Sequence, residues 1–265
     1  MAKSKTGTRE WAQQTVNINQ RGCENNCRYC YARASAVRFK QCTADDWATP
    51  VIKTDAVTKR YRKRRGVTMF PSTHDITPQN LEECTNVLYQ LLSADNDVLI
   101  VTKPVWKCIQ EICNTLDHYR EQIVFRFTIG SLNDSVLRFW EPGAPGFPER
   151  VACLTHAYQR GFKTSVSSEP YLDDRMPELY EAVRPLVTEC IWIGILREFT
   201  RRVDISGMSD SEMKTFVDPL KEAQSDEAVL NLHDRLNNKP LVRWKDSIRE
   251  IVARSAATRT NGRKT

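Results

Sequence analysis

The chain has 265 residues, of which 40% are hydrophobic and 27% are charged, and its formal net charge is +6. This composition is typical of a globular protein, and no apolar run approaches the about 20 residues that a transmembrane helix needs. The first residues lack the apolar core of a signal peptide, and nine cysteines, an odd number, do not indicate a secreted disulfide framework. We therefore expect a cytoplasmic protein with no membrane partner, whose positive charge favours anionic partners.

Strand patterns alternate with helix patterns over most of the chain. Residues 15–19 alternate apolar and polar side chains, whereas residues 97–103 form the continuous apolar run of a buried parallel strand. Thr77 and Pro78 provide a capping hydroxyl and a proline for the start of a helix. The expected strands cover residues 15–19, 66–71, 97–103, 122–130, 162–170 and 190–196. Expected helices lie between them, at residues 32–40, 77–91, 106–116, 148–158 and 176–183.

This alternation predicts an α/β fold with parallel βαβ units. Six units are too few to close a (β/α)8 barrel, so we expect a partial (β/α)6 barrel of parallel strands with a C-terminal helical extension. The expected division is a flexible basic arm at 1–11, the partial barrel at 12–198, the helical extension at 199–256 and a disordered basic tail at 257–265.

Three cysteines lie within eight residues, directly after the first expected strand. Cys23, Cys27 and Cys30 are spaced Cys-x3-Cys-x2-Cys, and Tyr29 precedes the third of them. Structural zinc sites and most four-iron clusters have four protein ligands. The nearest fourth thiol is Cys42, and the four histidines form no pair at zinc-ligand spacing. The triad therefore favours a four-iron cluster with one open corner over a zinc site.

Polar residues follow the expected strands and meet at one edge, because the carboxyl ends of parallel strands lie together. The segments at these strand ends are Cys23 to Cys30, Ser72 to Asp75, Lys103, Ser131 to Asn133, Ser168-Glu169 and Gly194. We expect all of them around a single mouth, which is the predicted functional site.

The cysteine spacing and the aromatic residue before the third cysteine resemble the signature of the radical S-adenosylmethionine (radical SAM) superfamily. The resemblance implies that Cys23, Cys27 and Cys30 bind a [4Fe-4S] cluster whose open iron binds S-adenosylmethionine. It also implies that one electron cleaves this molecule to a 5′-deoxyadenosyl radical, which abstracts hydrogen from a substrate. A reduced flavodoxin or ferredoxin is the implied electron donor.

Further motifs resemble the spore photoproduct lyase-like branch of that superfamily. They span most of residues 15–170, and comprise Asn17-Ile-Asn-Gln-Arg-Gly-Cys23, Cys30-Tyr-Ala-Arg33, Thr102-Lys103, Glu141-Pro-Gly-Ala-Pro145 and Glu149-Arg150. The lyases use an additional cysteine as a hydrogen donor, and Cys42 and Cys84 are the candidates here, with no motif to choose between them.

The resemblance implies roles for individual residues in binding S-adenosylmethionine. The implied contacts are Lys103 with the carboxylate, Ser131 and Asn133 with the ribose, the backbone of Ser72 and Thr73 with the amino group, the backbone around Gly194 with the adenine, and Tyr29 beside the cluster. His74 and Glu141 are candidate catalytic residues. The residues alone leave other interpretations open: Lys103 as an ordinary strand-end lysine, Ser131 as a cap, and Glu141 as a loop-ordering partner of Arg150.

The strongest charge cluster is the run from Lys59 to Arg65, with six basic side chains around Tyr61. Such a run is either a solvated surface or a contact to nucleic-acid phosphates. We therefore expect hydrogen abstraction from a nucleic acid or nucleotide. The alternatives are a radical SAM enzyme acting on a small metabolite or peptide, and a non-catalytic zinc module that binds nucleic acid.

Overall fold

The computed structural model describes residues 6–261, with side chains up to residue 258. The strands in this part of the chain are β1 (Gln14–Thr15), β2 (Asn19–Arg21), β3 (Val51–Ile52), β4 (Thr68–Phe70), β5 (Val98–Thr102), β6 (Ile123–Thr128), β7 (Lys163–Ser168), β8 (Ile191–Ile193) and β9 (Val242–Trp244). Seven of these described strands form one sheet in the order β1-β4-β5-β6-β7-β8-β9, and every neighbouring pair is parallel. The other two, β2 and β3, form a small antiparallel pair.

Helices connect the strands and cover the sheet. The α-helices are α1 (Tyr31–Arg38), α2 (Thr54–Thr58), α3 (Leu81–Ser93), α4 (Trp106–Thr115), α5 (Asp134–Trp140), α6 (Phe147–Gln159), α7 (Met176–Val183), α8 (Phe199–Arg202), α9 (Asp210–Glu212), α10 (Asp218–Ala223), α11 (Asp226–Leu236) and α12 (Asp246–Asn261). A π-helical turn, Met213–Val217, joins α9 to α10. None of the helices in the described part of the chain is long and apolar enough to cross a bilayer.

The core lies between the sheet and its outer helices. In α3 the side chains of Cys84, Val87, Leu88 and Leu91 recur at helical spacing and are completely buried, as expected of an amphipathic helix on a sheet. Phe125 in β6 packs edge-on against Phe162, with ring centroids 5.2 Å apart. The parallel α/β architecture predicted from the alternating patterns is therefore confirmed.

We expected residues 199–256, after the sixth expected strand, to form a helical extension. In the structure this segment also contains a strand. Residues Val242–Trp244 form β9, which pairs with β8 and adds a seventh strand to the sheet. Three residues are too few to show an alternating pattern. The apolar residues on either side recur at helical spacing, so no sequence pattern indicates this strand. The domain boundaries themselves stay predictions.

Parts of the expected arm and tail have regular secondary structure among the described residues. Gly7–Glu10 form a 3-10 helix, and the Glu10 carboxylate lies 3.4 Å from Lys245 Nζ and 3.0 Å from Arg249 Nη2. At the other end, α12 continues to Asn261, so residues 257–261 are helical and not disordered. The rest of the expected arm and tail, residues 1–5 and 262–265, lies outside the described residues.

Lys245 stabilises the contact between the N-terminal segment, the sheet and α12. Its side chain is completely buried, and Nζ donates to the Gly7 carbonyl at 2.8 Å and lies 3.5 Å from the Glu169 carboxylate. Burial acts to raise the pKa of Glu169, and the Lys245 ammonium opposes that shift. The ammonium therefore neutralises carboxylates that the fold has taken from water.

We expect Lys245→Met to lower the free energy of unfolding by about 2 kcal/mol, because it removes the cation paired with the largely buried Glu169 carboxylate and one of the two cations beside Glu10. The matched control is Lys239→Met, since Lys239 pairs with Glu181 at 3.2 Å on the surface and should contribute less than about 1 kcal/mol. Urea unfolding of both variants measures the difference. Equal losses in the two variants would contradict this role of Lys245.

Candidate active site at the carboxyl edge of the sheet

A cavity of about 370 Å³ opens at the carboxyl edge of the parallel strands. Its wall includes ten residues of the strand-end segments that the sequence singles out: Cys23, Cys27, Tyr29, Cys30, Ser72, Thr73, His74, Asp75, Lys103 and Glu169. The cysteine loop, the end of β4 and the end of β5 therefore surround one mouth, as expected from the carboxyl ends of parallel strands.

The loop that carries the cysteines is shaped by local backbone requirements. Gly22 has φ +84°, and a Cβ at this position would lie 2.6 Å from the Thr49 carbonyl oxygen, so only glycine fits there. The amide of Cys23 then donates to the Trp47 carbonyl at 2.8 Å. Cys30 is the N-cap of α1, and its sulfur accepts from the amide of Arg33 at 3.5 Å.

Each of the three sulfurs has a group beside it that favours its thiolate form. Cys23 Sγ accepts from the Asp75 amide at 3.4 Å, Cys30 Sγ accepts from α1, and the Lys103 ammonium acts to lower the pKa of Cys27. Burial nevertheless dominates, and together with the nearby Asp75 carboxylate it raises the pKa of Cys23 to about 12. The free thiols are therefore protonated, and a metal centre must displace their protons.

Asp75 and Lys103 form a largely buried ion pair on the cavity wall. The Lys103 amide donates to Asp75 Oδ1 at 2.8 Å, and Lys103 Nζ lies 3.4 Å from Oδ2. Burial acts to raise the pKa of Asp75, but the Lys103 ammonium and the hydrogen bonds from Lys103 and Asn25 outweigh it and lower this pKa. The site therefore presents a charged ammonium 5.9 Å from the Tyr29 ring.

Glu141 braces the cysteine loop from the opposite side and does not line the cavity. Its carboxylate is completely buried, pairs with Arg150 Nη2 at 2.5 Å and accepts a short hydrogen bond from the Tyr29 hydroxyl. Two residues on, the Gly143 amide donates to the Asn25 carbonyl at 3.2 Å. These contacts agree with the loop-ordering interpretation of Glu141, and its candidate catalytic role stays a prediction.

His74 links the backbone of two loops next to the cavity. Its Nε2 accepts from the Ile18 amide at 3.2 Å, and Nδ1 lies 3.0 Å from the Asp75 carbonyl. The Ile18 amide fixes Nε2 as the acceptor, so Nδ1 is the protonated nitrogen that donates to the carbonyl. Burial lowers the pKa of His74 to about 4, which keeps the ring neutral near pH 7.

Three predicted cofactor contacts lie off the cavity wall. Ser131 donates a short hydrogen bond to Asp173, and the Asn133 side chain caps α5 by accepting from the Ser135 amide at 2.9 Å. Gly194 gives space to other side chains, since a Cβ there would lie 2.9 Å from Lys245 Cγ. Their contacts with S-adenosylmethionine stay predictions.

The backbone predicted to bind the amino group is held by Asn17. Its Oδ1 accepts from the amides of Ser72 and Thr73, at 2.6 and 3.1 Å. The Ser72 carbonyl accepts from the Tyr31 hydroxyl at 2.6 Å. The segment is therefore fixed on the wall of the cavity by side chains on both sides of the cysteine loop.

The two candidate hydrogen-donor cysteines do not reach the cavity. Cys84 is completely buried in α3, and Cys42 packs beside Trp47 outside the wall. Among the described residues, the cysteines on the cavity wall are the three of the motif.

Sequence reasoning missed several polar residues on the wall. Thr128 and Ser167 are register partners on β6 and β7, and their hydroxyl oxygens lie 3.3 Å apart. Their inward face follows from strand alternation, which could have identified them. Trp47 and Trp11 also line the cavity, and their buried indole N–H groups have no hydrogen-bond partner among the described residues. No local pattern marks these two.

The three thiols of the motif suit a cluster in which each of three irons takes one cysteine. Within the described residues, no three His, Cys, Asp or Glu side chains converge closely enough to bind one ion. The three thiols nevertheless share one cavity wall and act on one another electrostatically.

The basic run from Lys59 to Arg65 lies at the opposite edge of the sheet. Lys63 Nζ pairs with Asp95 at 2.9 Å, and the Arg64 amide donates to Asn96 at 2.8 Å. Both partners precede β5, at the amino end of the strand, whereas the cavity lies at the carboxyl ends. Contact of this run with a nucleic acid stays a prediction.

The buried His74 should make stability depend on pH. The pKa is about 4 in the folded chain and 6.5 without burial, so the folded state binds fewer protons between these values. The contribution is therefore complete above pH 6.5 and is lost as the pH falls toward 4, by about 2 kcal/mol between pH 7 and pH 5. Urea unfolding of the wild type and of His74→Gln at both pH values measures it, and equal pH dependence would contradict it.

We expect Gly143→Ala to displace the loop that braces the cysteines. A Cβ at Gly143 would lie 2.9 Å from the Asn25 Cα, and overpacking of this kind costs about 2 kcal/mol. Gly207→Ala is the matched control, because its Cβ would meet nothing within 4 Å. Unfolding free energies compare the two variants, and an unchanged value for Gly143→Ala would refute the close contact.

The sequence was compared with protein families and with known proteins. No protein-family profile matches the sequence. The uncharacterized protein ORF301 of Acidianus two-tailed virus is 25% identical over an alignment 240 residues long, which covers 84% of this chain and 79% of the viral protein.

Solved structures show a similar fold. A spore photoproduct lyase mutant with a dinucleoside spore photoproduct is similar over 92% of this chain and 79% of the lyase, with 15% identity and a TM-score of 0.54. SuiB of Streptococcus suis is similar over 87% of this chain, with 11% identity and a TM-score of 0.50, and the chain spans only 48% of SuiB. Both are radical SAM enzymes. The chain therefore has the fold of these enzymes.

Proposed function

We propose that this protein is a radical SAM enzyme that binds a [4Fe-4S] cluster through Cys23, Cys27 and Cys30. The observation that carries the proposal is the placement of the three thiols on one cavity wall, beside the buried ammonium of Lys103. A cysteine triad leaves one iron of a four-iron cluster without a protein ligand, and S-adenosylmethionine would bind that iron from the cavity.

When bound, the cluster would supply the electron that cleaves S-adenosylmethionine and releases a 5′-deoxyadenosyl radical, with reduced flavodoxin or ferredoxin as the donor. The chain's own residues bind S-adenosylmethionine and keep water away from the thiols. Lys103 offers its ammonium to the methionine carboxylate as a charge-assisted hydrogen bond, and Asp75 fixes the position of that ammonium. Tyr29, only 7% exposed and bonded to Glu141, excludes water beside the thiols.

The substrate that fits best is a nucleic acid or nucleotide. The net charge of +6 favours a polyanion, and the similar lyase structure contains a dinucleoside photoproduct. The run from Lys59 to Arg65 is a further candidate phosphate contact. The competing substrate is a peptide or a small metabolite, since a solved SuiB structure contains its precursor peptide SuiA. We assign the hydrogen-donor role to neither Cys42 nor Cys84, because both lie off the cavity wall.

Anaerobic reconstitution with iron and sulfide, followed by dithionite and S-adenosylmethionine, tests the proposed chemistry. We expect four irons per chain and formation of 5′-deoxyadenosine, measured by chromatography. Cys27→Ala should abolish this product, because it removes a cluster ligand. The matched control is Cys113→Ala, a completely buried cysteine of α4 outside the cavity, which should retain it.

Two outcomes would contradict the proposal. One is a purified protein that binds one zinc per chain and takes up no iron, which would favour the non-catalytic zinc module. The other is equal 5′-deoxyadenosine formation by Cys27→Ala and by the wild type.

A further inference from the structure

An open groove adjoins the mouth of the cavity. It has a volume of about 940 Å³ and lies between α1 and the segment from α8 to Ser206. Tyr31 and Arg202 line both the groove and the cavity, and the Arg202 guanidinium lies 5.9 Å from the centre of the Tyr31 ring. A molecule in the groove therefore reaches the cavity past these two side chains.

The groove is predominantly basic. Four arginines line it, Arg33, Arg38, Arg201 and Arg202, against two carboxylates, Glu198 and Asp204. Glu198 pairs with Arg201 at 2.5 Å and lies 3.9 Å from Arg202, and Asp204 accepts hydrogen bonds from Ser206. Within residues 6–258, Arg33 and Arg38 take part in no ion pair of 4 Å or less. These two guanidinium groups are therefore available to an anionic ligand.

Exposed aromatic rings accompany the arginines. Phe39 is 66% exposed and Tyr31 is 44% exposed, in a protein whose other large apolar side chains are mostly buried. The Arg38 guanidinium lies 5.7 Å from the centre of the Phe39 ring. Between the two rings, the small residues Ala34 and Ser35 also line the groove. An extended ligand can therefore approach α1 closely and place flat groups on both rings.

We propose that this groove binds single-stranded nucleic acid and directs one nucleotide into the cavity. Arginines that track phosphates, together with exposed rings on which bases stack, are the features of single-strand binding sites. A duplex hides the faces of its bases, and an acidic peptide would use the arginines but leave the rings without stacking partners. The inference rests on the proposed function only for what happens in the cavity, since binding needs no cluster.

The test is fluorescence anisotropy of a labelled 12-nucleotide single strand, with the purified full chain and without S-adenosylmethionine. We expect Arg33→Gln with Arg38→Gln to weaken binding about tenfold and to reduce the slope of log K against log salt by about 1.4, or about 0.7 for each lost phosphate contact. Phe39→Ala should weaken binding about tenfold with little change of slope, because it removes a stacking platform.

The matched control carries Arg60→Gln with Arg62→Gln, which removes the same charge from the run at the opposite edge of the sheet. Undiminished binding by this control would support the groove. Equal losses in both double variants, tighter binding of a duplex of the same length, or preference for an acidic peptide would each overturn the proposal. Formation of 5′-deoxyadenosine by the groove variants is measured separately, so a failure of the radical chemistry is distinguishable from a failure of binding.

Discussion

Two buried ion pairs hold the cysteine loop in place, and the rest of the site depends on them. Arg150 and Glu141 are completely buried, and Lys103 and Asp75 are nearly so. A buried charge without its partner costs several kcal/mol, so the segments that supply the four charges cannot separate without a large penalty. Asp75 follows β4, Lys103 follows β5, Glu141 is the C-cap of α5, and Arg150 lies in the first turns of α6. Through Tyr29, Asn25 and the sulfur of Cys23, the two pairs contact the loop from both sides.

Much of the fold could be predicted because its signals are local. The apolar run of β5 and the helical spacing in α3 are each visible within one short stretch of consecutive residues. Alternation of such elements gives parallel βαβ units. The N-terminal contact could not be predicted in this way. Glu10 is a residue type typical of the surface, and its burial depends on Lys245 and Arg249, which lie more than two hundred residues along the chain. The strand β9 was likewise hidden, since its three residues gain their conformation by pairing with β8.

The same distinction applies to the site. The thiol triad and Lys103 are marked by a short motif and by a strand end, and the structure brings them together. The groove was not foreseen, because Arg38 and Arg201 are far apart in the sequence and only the packing of α1 on α8 unites them. Charge density in the sequence pointed instead to the run from Lys59 to Arg65, which the fold places at the amino ends of the strands. A charge run thus identifies basic residues but not their distance from the chemistry.

In the proposed chemistry, three thiolates leave one corner of an iron cluster open to S-adenosylmethionine. Electron paramagnetic resonance of the reconstituted, dithionite-reduced protein, recorded before and after addition of S-adenosylmethionine, tests this most directly. We expect the signal of a reduced [4Fe-4S] cluster whose g values shift when S-adenosylmethionine binds. A cluster signal that S-adenosylmethionine leaves unchanged, or a protein without any cluster signal, would contradict it.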